Sequence, residues 1–249
     1  MRTPIMAGNW KMYKTAQQAG EAITTLRGLV QGLEGVEVVI CPPFTALAAA
    51  VGAARGSRIG IGAQNCYWEK EGAFTGEVAV PMIVELGCSH VIVGHSERRQ
   101  FFGETDATVD RKVGAVLGAG LSCIACIGET LQEREGGRTL EVLERQVRDG
   151  LTRHLPSPQL VIAYEPVWAI GTGKTATPAQ AEEAHAFVRQ IVAKAVGAST
   201  AAGIRILYGG SVKPDNIAAL MAQPNVDGGL VGGASLDPTS FAKIVRFRA

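Results

Sequence analysis

A chain of 249 residues, of which 47% are hydrophobic and 19% charged, has enough apolar side chains for a large core, which argues against a disordered protein. Its 24 basic and 23 acidic side chains give a formal net charge of +1, so the sequence has no broad basic surface for nucleic acid or an anionic membrane. Any anionic ligand is therefore expected to be small and locally bound. Because apolar runs are too short for a membrane span and the N-terminus lacks a signal-peptide pattern, we expect a cytoplasmic protein.

Short apolar runs typical of buried strands alternate with stretches typical of helices along the chain. The predicted strands cover residues 5–9, 36–41, 59–63, 90–94, 121–126, 160–164, 205–208 and 228–231. The predicted helices include residues 16–30, 106–118, 138–153, 178–196, 214–221 and 238–245. Eight units of about 31 residues each are typical of a parallel barrel. We therefore predict an α/β fold in which residues 1–249 form a single-domain (β/α)8 barrel with eight parallel strands.

A doubly wound open sheet is the structural alternative. Such sheets usually carry Gly-x-Gly-x-x-Gly after the first strand, whereas this chain has Gly-Asn-Trp-Lys at residues 8–11. Residues 173–175, Gly-Lys-Thr, resemble the end of a P-loop, but that motif requires glycine where this chain has Trp168. The sequence therefore favours the barrel and disfavours a nucleoside triphosphatase.

Cysteine and histidine spacings give no metal or redox site. The five cysteines are an odd number in mostly apolar contexts, which predicts buried reduced thiols. Cys123 and Cys126 are three apart in a predicted strand and point to opposite faces, as His90 and His95 do at a spacing of five. We therefore expect no metal.

The barrel prediction places the active site at the carboxyl ends of the strands, where the following loops meet. Polar side chains and glycines stand at almost every predicted strand end: Asn9, Lys11, Gln64, Asn65, His95, Glu97, Glu129, Glu165, Gly209, Gly210, Ser211, Gly232 and Gly233. We expect these residues to converge on one mouth of the barrel.

Glu165 ends the predicted sixth strand and precedes Pro166, which biases Glu165 toward extended backbone and limits its direction. A solvated or capping carboxylate is the alternative for such a residue. Gly171 and Gly173 follow in a loop that is able to move. Because this loop could close over Glu165, we regard Glu165 as a candidate catalytic residue.

His95 stands where the fourth strand ends and a helical turn begins. The positive end of a helix disfavours an imidazolium, so a neutral imidazole that polarises a carbonyl is expected, with a structural histidine as the alternative. Lys11 follows the first strand and is either a surface lysine or the local counter-charge for an anionic substrate.

Glycine pairs at 209–210 and 232–233 end the last two predicted strands, where barrel enzymes often bind phosphate. Glycine lets main-chain N–H groups approach an oxyanion, and a short helix after the second pair would add donors. For either glycine pair by itself, a tight turn is a sufficient explanation. Two pairs on neighbouring strands favour a phosphate site.

Six segments in order make the chain resemble the triosephosphate isomerase family of TIM barrels. They are Asn-Trp-Lys at 9–11, Gly-His-Ser-Glu-Arg-Arg at 94–99, Cys-Ile-Gly-Glu at 126–129, Ala-Tyr-Glu-Pro-Val-Trp-Ala-Ile-Gly-Thr-Gly at 163–173, Tyr-Gly-Gly-Ser-Val at 208–212 and Gly-Gly-Ala-Ser at 232–235. Trp68 and His90 depart from the family pattern outside the site. The resemblance implies an isomerase of glycolysis and gluconeogenesis that interconverts dihydroxyacetone phosphate and glyceraldehyde 3-phosphate without a cofactor.

The resemblance also implies roles for individual residues. Glu165 would be the base, His95 the neutral electrophile and Lys11 the fixed positive charge, with Asn9 orienting Lys11 and Glu97 hydrogen-bonded in the same cluster. The implied substrate and phosphate contacts are Asn9, Lys11, Gly171, Ser211, Gly232 and Gly233. The implied lid that closes over the phosphate is Pro166, Val167, Trp168, Ala169, Ile170, Gly171, Thr172, Gly173, Lys174, Thr175 and Ala176.

A homodimer is implied as well, in which the tip of the third loop, at Phe74, Thr75 and Gly76, enters the partner near Asn9, Lys11 and His95. Two other functions remain open from the residues alone. One is another metal-independent barrel enzyme acting on a phosphorylated sugar, and the other is a catalytically silent barrel used for binding or assembly. Fold alone does not separate these functions.

Overall fold

Residues 2–171 and 174–248 are described by the computed structural model, and eight parallel strands among them close into one barrel. The strands are β1 (Ile5–Asn9), β2 (Glu37–Cys41), β3 (Ile59–Ala63), β4 (His90–Val93), β5 (Ser122–Ile127), β6 (Leu160–Tyr164), β7 (Arg205–Tyr208) and β8 (Gly228–Val231). Neighbouring strands pair in chain order, and β8 pairs with β1 to close the ring. The predicted (β/α)8 barrel is confirmed.

Helices follow the strands and cover the outside of the barrel. They are α1 (Ala16–Leu29), α2 (Leu47–Ala54), α3 (Val80–Glu85), α4 (Ser96–Phe101), α5 (Asp106–Gly118), α6 (Leu131–Glu135), α7 (Thr139–Gly150), α8 (Pro178–Val196), α9 (Ala198–Ala201), α10 (Ile217–Met221) and α11 (Pro238–Val245). The bounds of α5, α8 and α11 match the prediction. The helix predicted over 138–153 is shorter, because residues 152–154 form a 3₁₀ turn, and α10 begins three residues later than predicted.

Every strand is buried on both faces, which explains why the strands are continuous apolar runs. Alternate residues point into the barrel and form a compact inner core, made of Ile5, Ala7, Val39, Cys41, Ile92, Ile124, Cys126, Val161, Ala163, Leu207 and Leu230. The other strand residues pack against the helices in a larger outer cluster. Two apolar layers therefore hold the strand ends, and the loops that follow them, in fixed positions.

All five cysteines are buried and free, as predicted. Burial raises the pKa of the Cys66 thiol to about 12 and that of Cys88 to about 11, so these thiols stay protonated and unreactive. Across residues 2–171 and 174–248, no three His, Cys, Asp or Glu side chains are grouped as metal ligands. In the same described part of the chain, none of the helices has the length and apolar character needed to cross a bilayer.

Candidate active site

The carboxyl ends of the strands surround a cavity of about 340 Å³. Its lining includes these residues singled out in the sequence: Asn9, Lys11, His95, Glu165, Ala169, Ile170, Gly171, Gly209, Gly210, Ser211, Gly232 and Gly233. Glu97 does not line this cavity. It contacts Lys11, which does line it, and Lys11 Nζ lies 2.5 Å from Glu97 Oε1. Gln64, Asn65 and Glu129, which were also expected at the mouth of the barrel, do not line this cavity. The residues that do line it come from the ends of β1, β4, β6, β7 and β8.

The loop after β1 holds Lys11 in an unusual backbone conformation, with φ of 50°. Two hydrogen bonds fix this conformation: the N–H of Lys11 donates to Asn9 Oδ1 at 3.0 Å, and Nε2 of Gln64 donates to the Lys11 carbonyl at 2.8 Å. Gln64 also donates to the carbonyl of Cys41 at 2.8 Å, which ties the loop to β2. Asn9 therefore orients Lys11 as expected, and Gln64 does so from the opposite side.

His95 is the N-cap of α4, as the predicted strand-to-helix turn requires. Its Nδ1 accepts the backbone N–H of Glu97 at 3.2 Å. An atom that accepts an N–H has no room for a proton of its own, so this contact favours the tautomer with its proton on Nε2. Nε2 in turn lies 2.9 Å from Oε1 of Glu165. The donor edge of the imidazole thus faces the cavity.

Glu165 is 2% exposed, and both its oxygens have partners. Oε1 faces His95 Nε2, and Oε2 accepts the backbone N–H of Ser96 at 2.8 Å. Burial raises the pKa of Glu165, but His95, the Ser96 N–H and Lys11 outweigh burial and hold the pKa below its ordinary value. The buried carboxylate is therefore ionised and able to take a proton.

The contact between His95 and Glu165 changes the pKa of His95 in the opposite direction. Burial lowers the pKa of His95, but the carboxylates of Glu165 and Glu97 outweigh it, so the pKa lies above its ordinary value. The N–H that Nδ1 accepts opposes this charging, because an imidazolium needs a proton on both nitrogens. The N-terminus of α4, which we expected to control the charge of His95, is thus one of several influences on its pKa. Among the influences that favour the charged form, Glu165 is the largest.

Main-chain groups form the other end of the cavity. After β8, residues Gly233–Ser235 make the short helical turn that we expected, here a 3₁₀ turn. Trp10 Nε1 donates to the Ser235 carbonyl at 2.9 Å, and Ser235 Oγ donates to the Gly232 carbonyl at 2.7 Å. At Gly210 a Cβ atom would lie 2.2 Å from the Tyr208 hydroxyl, so only glycine fits there. Four glycines without side chains, Gly209, Gly210, Gly232 and Gly233, line the cavity at this end.

The first half of the proposed lid is held against the barrel. Residues Val167–Ala169 form a 3₁₀ turn, in which Trp168 Nε1 donates to Glu129 Oε1 at 2.9 Å and the Arg134 guanidinium lies 4.7 Å from the indole ring. Glu129 is completely buried and also accepts the Tyr164 hydroxyl at 3.2 Å. Glu129 therefore fixes the position of Trp168.

The second half of the lid is exposed at Gly171 and Lys174 and buried again at Ala176. Gly171 has φ of 68°, a conformation that favours glycine. Thr172 and Gly173, which the resemblance assigns to the lid, lie outside the described residues.

The third loop projects from the barrel between residues 67 and 77. Its tip residues Phe74, Thr75 and Gly76 are all exposed. At its base the rings of Tyr67 and Trp68 stack with centroids 4.0 Å apart, and Phe74 lies 4.6 Å from Tyr67. The tip is thus held by aromatic contacts within its own loop.

Gly128 is a site residue that sequence reasoning did not identify. A Cβ atom at position 128 would lie 1.7 Å from the carbonyl oxygen of Glu165, so only glycine lets Glu165 occupy its place. The available signal was the Gly-Glu pair that follows β5. Ser96 was missed for a different reason, since its contribution is a backbone N–H that any residue would supply.

Comparison with known proteins agrees with this geometry. The family model described as Triosephosphate isomerase matches residues 4–248. A triosephosphate isomerase of Moorella thermoacetica is 61% identical over 250 residues, covering 99% of both chains. Triosephosphate isomerases of Geotalea uraniireducens and Solibacter usitatus are 56% and 57% identical, covering 99% of this chain and 99% and 100% of theirs. The chain belongs to the triosephosphate isomerase family.

Proposed function

We propose that this protein is an aldose–ketose isomerase that interconverts dihydroxyacetone phosphate and D-glyceraldehyde 3-phosphate through a cis-enediolate, without a metal or cofactor. The observation that carries the proposal is the meeting of Glu165, His95 and Lys11 in one cavity whose far end is bare backbone. A base and a proton donor suit transfer of a proton between neighbouring carbons, and exposed N–H groups suit a phosphate.

Glu165 takes the proton from the carbon beside the carbonyl and returns it to the next carbon. Its lowered pKa keeps the carboxylate ionised at neutral pH, which a base requires. To reach a substrate carbon the carboxylate must leave the N–H of Ser96 and Nε2 of His95. The chemistry balances within the substrate, because one proton moves between the neighbouring carbons by way of Glu165 and one moves between their two oxygens by way of Nε2 of His95.

His95 donates from Nε2 to the oxygen on which negative charge develops. This division of labour between a glutamate base and a neutral histidine is established for the triosephosphate isomerase family and is taken over for this chain. Lys11 adds a positive charge at the same end of the cavity, and Glu97 holds its ammonium group. Preorganised donors of this kind stabilise a developing oxyanion because they need no rearrangement during the reaction.

The phosphate is bound by main-chain N–H groups of Gly171, Gly232 and Gly233 together with Ser211. All four line the cavity, as does Ala234 in the 3₁₀ turn that begins at Gly233. The segment from Pro166 to Ala176 then closes over the phosphate, which excludes water from the enediolate and prevents loss of phosphate.

We further propose a homodimer. Supporting this proposal, several large apolar side chains are exposed in the segments that follow β1, β3 and β4, among them Met12 at 94%, Tyr13 at 58%, Phe74 at 41% and Phe102 at 68%. Apolar exposure of this size is typical of a surface that meets a partner. The tip of the third loop at Thr75 would enter the partner's mouth beside Lys11.

The catalytic unit is proposed to be one domain, residues 1–249, that works in the cytoplasm in glycolysis and gluconeogenesis. Two observations support the single domain: one barrel contains all the strands of the described ranges, and the family match extends over residues 4–248. The near-neutral charge balance supports a small-molecule substrate over a nucleic acid or membrane partner.

A coupled assay tests the proposed activity. Purified protein is given D-glyceraldehyde 3-phosphate with an excess of chelator, and formation of dihydroxyacetone phosphate is followed by reduction with a dehydrogenase and NADH. We expect full turnover in chelator. Activity that needs an added divalent metal, or that appears only with a pentose phosphate, would support the other phosphosugar enzyme. Absence of turnover on either substrate would support a silent barrel.

A further inference from the structure

The side chain of Arg99 in α4 joins the ends of two neighbouring strands. Its Nε donates to the carbonyl of Gly94, directly after β4, at 2.9 Å, and its Nη2 donates to the carbonyl of Cys126 in β5 at 3.2 Å. Its Nη1 donates to Oδ1 of Asp106, the first residue of α5, at 2.6 Å. Only 17% of the side chain is exposed, so these hydrogen bonds are largely shielded from water. One planar group therefore holds three separate segments of the chain together.

Gly94 is held on both sides of its main chain. Its N–H donates to Oε2 of Glu104 at 3.0 Å, and its carbonyl accepts the Arg99 guanidinium. Its φ of 71° favours glycine. A Cβ atom there would lie 3.1 Å from the Cys126 carbonyl oxygen and 3.3 Å from Arg99 Nη2, so a side chain would crowd this hydrogen bond. The absence of a side chain at Gly94 therefore gives the guanidinium its place.

Arg99 reaches the proposed catalytic pair through the main chain. The Gly94 carbonyl that it binds belongs to the peptide that leads into His95. The carbonyl that it binds in β5 belongs to the peptide that leads into Ile127, whose own carbonyl accepts the Glu165 N–H at 2.7 Å. Arg99 itself does not line the catalytic cavity. Its hydrogen bonds thus fix the backbone next to both catalytic residues rather than their side chains.

Three acceptors in different directions require a guanidinium group. Arginine carries five N–H donors in a fixed planar fork, whereas lysine carries one small ammonium group on a flexible stem. Asp106 holds the fork from one side, and its Oδ2 also accepts Nε of Arg145 at 3.2 Å. The Arg145 side chain is 47% exposed. In the described part of the chain, Arg145 donates to neither of the two strand-end carbonyls, so it shares the carboxylate with Arg99 but not the contact with the strands.

We propose that Arg99 is a positioning residue for the isomerase reaction, and that it sets the separation of His95 and Glu165 by joining the end of β4 to β5. Its role in catalysis rests on the function proposed above, whereas its effect on the separation does not. Without these hydrogen bonds the turn at residues 94–97 moves relative to β6. Both groups that this turn presents to Glu165 move with it, Nε2 of His95 at 2.9 Å and the Ser96 N–H at 2.8 Å.

Binding of the substrate phosphate depends little on Arg99. The proposed phosphate contacts follow β6, β7 and β8, whereas Arg99 binds the ends of β4 and β5; these contacts are Gly171, Ser211, Gly232 and Gly233. Misplacing the base relative to the proton donor slows the chemical step, since a displacement of about 1 Å costs roughly 100-fold. We therefore expect a change in Arg99 to lower kcat and to leave KM nearly unchanged.

Arg99→Lys and Arg145→Lys are compared in the coupled assay. Both replace a guanidinium bound to Asp106 and keep its charge, but only Arg99 binds the strand ends. Arg99→Lys should lower kcat at least about tenfold with KM within about threefold. Arg145→Lys should keep both within about twofold. A wild-type kcat in the Arg99→Lys protein, or a loss in kcat/KM that comes from KM alone, would overturn the proposed role.

The pH profile separates positioning from a loss of folded protein. His95, the Ser96 N–H and Lys11 lower the pKa of Glu165. Displacing the first two should raise this pKa, so the acid limb of kcat/KM should move to higher pH in Arg99→Lys. A smaller folded fraction lowers activity without changing the pKa of Glu165. A reduced kcat with the acid limb at its wild-type position would therefore show that Arg99 supports the fold only.

Asp106→Asn provides a second variant if Arg99→Lys does not fold. The amide keeps an oxygen acceptor for Arg99 but loses the charge that holds the guanidinium in place. Asp106→Asn should therefore give a smaller fall in kcat and a shift of the acid limb in the same direction. Wild-type kcat together with a wild-type pH profile in Asp106→Asn would contradict the proposed role.

A crystal structure of Arg99→Lys, or of Asp106→Asn in its place, measures the separation without any assay. His95 Nε2 and Glu165 Oε1, which are 2.9 Å apart in the wild-type protein, should lie beyond hydrogen-bond distance, more than about 3.5 Å apart. An unchanged distance would overturn the proposal even if the wild-type protein is an active isomerase. An inactive wild-type protein whose variant shows the longer distance would contradict the isomerase function and leave the positioning by Arg99 standing.

Discussion

Nε2 of His95 and Oε1 of Glu165 lie 2.9 Å apart, although the two residues come from loops after β4 and β6. Each lies in the other's electrostatic field, so the pKa of Glu165 is lowered and that of His95 is raised. The proposed base and the proposed proton donor therefore titrate as a coupled pair. A change to one partner should be visible in the pH dependence of the other.

His95→Gln tests this coupling. The amide keeps a donor but loses the imidazole, and we expect kcat to fall at least about 100-fold, as for loss of other oxyanion donors. Burial remains while the imidazole that lowers the pKa of Glu165 is gone, so this pKa should rise and the acid limb of kcat/KM should move to higher pH. A pH profile of the variant measures this shift. An acid limb at the wild-type position would show that the pair is not coupled.

Gly128→Ala tests how closely the backbone fixes Glu165. The new Cβ would lie 1.7 Å from the Glu165 carbonyl oxygen, so the start of the lid must move. A displacement of about 1 Å at a catalytic group costs roughly 100-fold in rate, and we expect a loss of this order in kcat.

The control for this variant is Gly20→Ala in α1, where a Cβ meets nothing within 4 Å. Alanine there should keep full activity and raise the free energy of unfolding by about 0.5–1 kcal/mol, because alanine is the better helix former. Wild-type turnover in the Gly128→Ala protein would show that the site tolerates the displacement.

Glu37→Gln tests an ion cluster at the opposite end of the barrel. His90, whose Nε2 lies 3.1 Å from Glu37 Oε1, and the nearby Arg205 lower the pKa of Glu37 from 4.5 to about 2, against the effect of burial. A lowered carboxyl pKa contributes stability above pH 4.5 that is lost as pH falls toward 2. Because the Glu37 side chain is 34% exposed, we expect its contribution to the free energy of unfolding to be only about 1–2 kcal/mol at pH 7.

Urea unfolding of wild type and Glu37→Gln at several pH values measures this contribution. The difference in unfolding free energy should shrink between pH 4.5 and pH 2, whereas a difference that does not vary with pH would exclude the ion cluster as its source. Glu34→Gln is the control, since both side chains of the Glu34–Arg58 pair are about 80% exposed. Loss of this pair should change the free energy of unfolding by less than about 0.5 kcal/mol.

Thr75→Arg tests the proposed dimer. The residue lies at the exposed tip of the third loop, so a larger charged side chain there does not disturb the barrel itself. We expect monomers in analytical ultracentrifugation and a fall in kcat of at least about tenfold, because the loop completes the partner's mouth and its loss misplaces the groups there. Glu144→Arg on the outer face of α7 introduces the same side chain and should remain dimeric. Monomeric wild-type protein, or a dimeric Thr75→Arg protein, would contradict this arrangement.

The strands were predictable because a buried parallel strand is a continuous apolar run, and β1, β3, β6, β7 and β8 have the predicted bounds. The helices α2 and α3 were not predicted. Residues 47–54 are almost all alanine and other small or apolar residues, so they show no polar face, and α3 has only six residues. Periodicity identifies a helix only where one face is polar and the element is long enough.

Site residues with distinctive chemistry, such as Glu165 and His95, were predictable from their places at strand ends. Gly128, Gln64 and Glu129 were not assigned roles, because each acts through a residue that is distant in the chain: Glu165, Lys11 and Trp168. Such contacts depend on how neighbouring strands are aligned in the barrel.

The turnover of Glu165→Gln relative to wild type, in the coupled assay with chelator, tests the central claim most directly. Glutamine preserves the size of the side chain but has no basic carboxylate, so we predict a loss in kcat of at least about 100-fold with the fold intact by circular dichroism. A Glu165→Gln protein that keeps near-wild-type turnover would contradict the assignment of Glu165 as the base.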